Sequence, residues 1–71
     1  MELKKGDVAI SKHPYAFRSG KQYTVLNIQK DPNERLCYFI QFEDGYIDWF
    51  PVNDIKSHDV HLVGNKKEEQ A

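Results

Sequence analysis

The side chains able to do chemistry in this 71-residue chain are three histidines, one cysteine, eleven carboxylates and nine aromatic rings. His58 and His61, with Asp54 and Asp59 beside them and His13 far upstream, include the donor types of a metal site. Their spacing works against it. Asp59-Val60-His61-Leu62-Val63 reads as a strand, and positions three apart on a strand face opposite ways, where they cannot share an ion. Cys37 has no base near it in sequence and nothing to lower its pKa, so an inert thiol is expected. The adjacent acids Glu43 and Asp44 are accounted for by a turn. The four glycines stand apart, so no loop of backbone N–H groups is available to cradle a phosphate. The chain is also short for a pocket of about 300–1,000 Å³ with support behind it. We expect no catalytic residue, no metal and no cofactor, hence no enzyme.

The aromatic residues carry more. Tyr15 and Phe17 lie with Arg18 in a polar stretch from Lys12 to Lys21, and Tyr46 and Phe50 flank Asp48 thirty residues later. Brought together, these rings and one acid form a shallow groove suited to a cation, an extended peptide or a stacked base. The competing role is packing, with Phe17 and Phe50 closing the ends of a small core.

The elements that must position these residues are strands. Asp7-Val8-Ala9-Ile10-Ser11 alternates, placing Val8 and Ile10 on one face. Pro14 and Gly20 exclude regular structure across residues 12–21. Gln22 to Gln29 is rich in β-formers, and its adjacent Val25 and Leu26 suggest a bulge that puts Tyr23, Val25 and Ile28 on one side. Asp31-Pro32-Asn33-Glu34 is a turn in which Asp accepts from backbone N–H groups and Pro presets φ. Leu36 to Glu43 is the longest strand, and Asp44-Gly45 predicts a two-residue type I′ hairpin to Tyr46–Phe50. In that register Tyr38, Ile40, Phe42, Ile47 and Trp49 form the core face, and Cys37, Phe39, Gln41, Glu43, Tyr46, Asp48 and Phe50 a mixed face. Trp49→Ala is then expected to cost about 3–5 kcal/mol. Residues 51–55 fit one short 3₁₀ turn, His58 to Val63 a fifth strand with Val60 and Leu62 facing one way, and residues 64–71 a flexible polar tail.

Five strands, a long first loop, a tight hairpin and one helical turn before the last strand resemble the SH3-like small barrel. The residues carrying this are Lys5-Gly6-Asp7-Val8, Gly20-Lys21-Gln22-Tyr23-Thr24-Val25 and Trp49-Phe50-Pro51-Val52-Asn53-Asp54-Ile55. More narrowly, His13-Pro14-Tyr15-Ala16-Phe17-Arg18 and Phe42 to Pro51 resemble the YorP-like family of small prophage-encoded proteins of Gram-positive bacteria. The resemblance implies an all-β, five-stranded barrel over residues 1–63 in a phage-related bacterial setting, and no established activity. In such barrels the first loop commonly folds beside the end of the hairpin, which brings Tyr15, Phe17 and Arg18 to Tyr46, Asp48 and Phe50. The chain departs from proline-peptide-binding members, whose first loop is acidic and whose tryptophans are paired; Lys12, Arg18, Lys21 and a lone Trp49 stand here instead.

Charge and composition bound the partner. A domain of this size buries only about 60% of its unfolded surface, and the rings compensate. Residues 1–30 balance to +4 and residues 31–71 to −5. The overall pI near 6.3 lies well below the value of about 9 usual for nucleic-acid-binding domains. A protein partner is therefore expected. The alternative is single-stranded nucleic acid on Lys4, Lys5, Lys12, Arg18, Lys21 and Lys30 with Tyr15 and Phe17 interleaved. The single cysteine, the absence of a signal-like apolar run after Met1-Glu2-Leu3-Lys4-Lys5 and the absence of a long apolar stretch lead us to expect a cytoplasmic monomer with no membrane contact.

Overall fold

The computed structural model describes residues 2–65. They form β1 (Asp7–Ser11), β2 (Gln22–Lys30), β3 (Leu36–Phe42), β4 (Ile47–Pro51), a 3₁₀ turn (Ile55–His58) and β5 (Val60–Asn65). All pairings are antiparallel, in the order β4-β3-β2-β1-β5. The sheet is open, with β4 and β5 at its edges. Gly64 and Asn65, expected in the tail, extend β5; the rest of that tail lies outside the described residues. No helix among the described residues is long and apolar enough to cross a membrane.

The hairpin between β3 and β4 departs from the expected register by one residue. Tyr38 faces Phe50, Phe39 faces Trp49 and Gln41 faces Ile47. The Phe42 N–H donates to the Tyr46 carbonyl at 2.8 Å and the Gly45 N–H to the Phe42 carbonyl at 2.9 Å. The loop is thus Glu43-Asp44-Gly45, and within it only Gly45 has positive φ, +95°. A type I′ turn needs positive φ at two residues; one αL glycine is the mark of a three-residue loop with a bulge. One extra loop residue turns every β4 side chain over. Phe50 is therefore in the core at 4% exposure, while Trp49 at 37% and Ile47 at 44% face outward. The Trp49 ring stacks on Phe39 at 4.8 Å and 22° instead of packing inward.

The core joins Leu3, Ala9, Tyr23, Val25, Tyr38, Ile40, Phe42, Phe50 and Ile55, with Val52 and Val60 against it. Tyr23, Phe42 and Phe50 meet edge to face at 5.5–6.4 Å, the geometry favoured by ring quadrupoles. The expected bulge in β2 is present: the register shifts between Val25 and Asn27, so Tyr23, Val25 and Ile28 all oppose core-facing residues of β3.

On β1, Val8 and Ile10 share a face, but the inward face is the other one, Asp7, Ala9 and Ser11. It is habitable because its polar groups have partners. The Ser11 hydroxyl lies 3.3 Å from the Tyr23 hydroxyl. Asp7 accepts from the Lys4 N–H at 2.7 Å and from Asn65 Nδ2 at 2.6 Å. Asp7→Ala removes the acceptor of the part-buried Lys4 N–H bond at one end of the chain and loosens β5 at the other, so we expect a loss of about 1–3 kcal/mol in urea denaturation; a loss below about 0.5 kcal/mol places Asp7 at the surface.

The helical turn also sits later than expected. Pro51 closes β4, since its missing N–H falls on a free edge, and the 3₁₀ turn spans Ile55–His58. His58 thus lies outside β5, its ring edge-on to Phe50 at 5.4 Å. Leu62 is 53% exposed.

Candidate binding surface

The first loop folds back through a chain of tight turns. Ala16 N–H bonds the His13 carbonyl, Ser19 that of Ala16 and Lys21 that of Arg18, all at 3.0–3.1 Å, while the Gly20 N–H returns to Ser11 at 2.8 Å. Arg18 adopts φ +51°, an unusual conformation for a side-chain-bearing residue. It lays the guanidinium against the hairpin tip. Arg18 Nη1 donates to Asp44 Oδ1 at 2.8 Å and Oδ2 at 2.9 Å. Its Cζ lies 4.5 Å from the Tyr46 ring centroid, 4.9 Å from Phe42 and 5.6 Å from Phe17. Phe17 itself contacts Phe42 at 5.9 Å and Tyr46 at 5.7 Å. Beside this cluster a groove of about 740 Å³ is lined by residues 18–22 and by Phe42, Glu43 and Asp44.

Of the six candidate residues, the fold brings three together: Phe17, Arg18 and Tyr46. Phe17 and Tyr46 keep nearly half their surface open, 46% and 44%. Tyr15 stands apart at the loop tip, 93% exposed, its N–H donating to His13 Nδ1 at 3.2 Å. Asp48 is half-buried and accepts the Trp49 N–H at 2.8 Å. Phe50, expected on the exposed mixed face, is in the core because of the register, so its ring is closed to a partner. The acid of the cluster is Asp44, a residue the sequence argument used up in the turn. It does serve the turn, since its Oδ1 also accepts the Tyr46 N–H at 3.1 Å. A base in the first loop facing an acid at the hairpin tip was the available signal. The outward patch of Phe39, Ile47 and Trp49 was hidden by the register error.

The Arg18 guanidinium beside Asp44, helped by the Tyr46 N–H, holds the Asp44 carboxyl below its ordinary value of 3.8. A depressed carboxyl stabilises the fold above its unfolded-state pKa, and that contribution disappears as pH falls through the folded value. The loop contact should therefore be intact above the ordinary carboxyl range and be lost as pH falls through the lowered folded value. In a carbon-detected NMR titration the Asp44 midpoint is expected below 3.8 and shifted upward by Arg18→Gln. A midpoint indifferent to Arg18 contradicts the contact.

The bases of residues 1–30 do not form one stripe. Lys12 and Lys21 lie at the Ile10–Gln22 end of the β1–β2 pair, and Lys4 and Lys5 precede its other end, the length of a five-residue strand away, about 13 Å. Arg18 is neutralised by Asp44, and Glu43 faces the same groove as Lys21. Cys37 is fully buried, its thiol donating to Asp31 Oδ2 at 3.7 Å. Burial and the neighbouring Asp31 carboxylate push that thiol's pKa up, away from nucleophilic reactivity. Asp31 performs the turn chemistry expected of it, accepting the Asn33 and Arg35 N–H groups at 2.9 Å.

No protein-family model matches the chain, and neither the curated proteins nor the solved structures yield a match.

Proposed function

We propose that this chain is a small, non-catalytic binding module that engages a protein partner through the first loop and the hairpin tip. The observation that carries the reading is the Arg18–Asp44 pair with its three rings. It ties loop 12–21 to residues 42–46, presenting exposed faces of Phe17 and Tyr46 beside a groove, with Tyr15 exposed at the tip of the same loop. Aromatic rings on a fixed frame are what protein interfaces use as anchors. The mixed charge of the groove, Arg18 and Lys21 against Glu43 and Asp44, suits a peptide surface better than a uniformly negative phosphate backbone.

The architecture we propose is an SH3-like barrel left partly open. The strand order β4-β3-β2-β1-β5, the long first loop and the 3₁₀ turn before β5 support it. The segments 13–18 and 42–51 support a YorP-like, prophage-encoded origin, and the unpaired Cys37 suits a cytoplasmic setting.

The reading is tested by affinity capture from phage-induced bacterial lysate, with and without nuclease. A protein retained after nuclease and through moderate salt is the expected result. Material released by nuclease, with affinity falling steeply in salt, replaces the reading with nucleic-acid binding on Lys12 and Lys21.

A further inference from the structure

The aromatic corner of the hairpin already holds a cation, and that cation is its own. Three ring centroids lie within about 6 Å of the Arg18 guanidinium, the range of cation–π attraction. Both oxygens of Asp44 accept from Nη1. A carboxylate and ring faces are the recognition elements that suit a planar, weakly hydrated guanidinium.

Most of this receptor is built without Arg18. Phe42 is fixed in the core at 3% exposure. Asp44 and Tyr46 are held by the hairpin loop and by the bond from the Tyr46 N–H to Asp44 Oδ1. Arg18 arrives from another element, on a residue of positive φ. The contact is also reachable: the Arg18 side chain is 31% exposed and that of Asp44 62%.

We infer that the hairpin tip is a guanidinium-binding site, filled by Arg18 in the free protein and taken over by an arginine side chain of the protein partner. This inference rests on the partner reading above and adds the chemistry of the contact. A tethered Arg18 competes at an effective concentration of about millimolar. That competition weakens the apparent affinity of a free guanidinium, and a partner's arginine gains from added contacts, for which the adjoining groove is placed.

The test uses the full chain, labelled with ¹⁵N and carrying Arg18→Gln, titrated with N-methylguanidinium while the Gly45 and Tyr46 amide signals are followed. Saturable shifts are expected, with binding weakened about threefold when Asp44→Asn is added, and weaker also in the wild type, where Arg18 occupies the site. Shifts that stay linear, or that are equal in all three proteins, overturn the inference. Should Arg18→Gln lose its dispersed spectrum, Arg18→Lys is titrated instead, and the same two outcomes decide. The two readings fail separately: saturable binding with nothing captured from lysate removes the partner and keeps the site, while capture without saturable binding keeps the partner and removes its arginine.

Discussion

Phe50→Ala should leave the protein largely unfolded at 25 °C, whereas Trp49→Ala should leave it folded. Phe50 is 4% exposed and packs edge-on against Tyr23, Phe42 and His58. Removing a buried phenylalanine costs about 3–5 kcal/mol, and the core of a domain this small rarely supplies more than that. Trp49 lies on the outer face, where its one ring contact among the described residues is the stack on Phe39. Such a stack is worth about 0.5–1.5 kcal/mol. Urea denaturation followed by far-UV circular dichroism reads both, since it does not depend on the tryptophan itself. The reverse order of losses would restore the two-residue hairpin and its opposite face assignment.

A Tyr15→Ala, Tyr46→Ala protein should fold normally and lose its partner. Interface anchors of this type cost about 2 kcal/mol or more each when truncated, which is about thirtyfold per residue in affinity. Tyr15 is the cleaner of the two. At 93% exposure its ring contact is with His13 alone among the described residues, so its removal has no packing to disturb. Tyr46 also roofs Arg18 at 4.5 Å, and part of its effect would come through the loop. Equilibrium binding to the captured partner, set beside a thermal melt of each variant, separates the two contributions. Unchanged affinity in the double variant contradicts the proposed surface.

Local rules made much of this fold legible in the sequence. Asp31 caps its turn as the chemistry of aspartate requires, and the adjacent apolar pair Val25-Leu26 breaks the alternation where β2 is bulged. What alternation leaves open has one physical origin: it defines two faces without saying which is inward. On β1 the inward set is Asp7, Ala9 and Ser11, whose polar groups are satisfied by the nearby Lys4 N–H and, from farther along the chain, by Asn65 and Tyr23. On β4 the inward set depended on whether Asp-Gly closes a loop of two residues or three. Asp44 favours three, since its carboxylate accepts the Tyr46 N–H and receives Arg18 from a loop 26 residues away. The candidate site suffered from the same cause. Phe17, Arg18 and Tyr46 come together as expected, while Phe50 lies in the core and Asp44, not Asp48, is the acid beside them.

Tyr46 and Ile47 are sequence neighbours on opposite faces, almost equally exposed at 44% each, and this pair allows the most direct test of where the partner binds. A photoreactive benzoylphenylalanine placed at position 46 or at position 47 would be irradiated in nuclease-treated lysate. The account predicts a discrete protein adduct from position 46 and none from position 47. An adduct from position 47 alone would put the partner on the Phe39–Trp49 face and contradict the loop-and-hairpin surface.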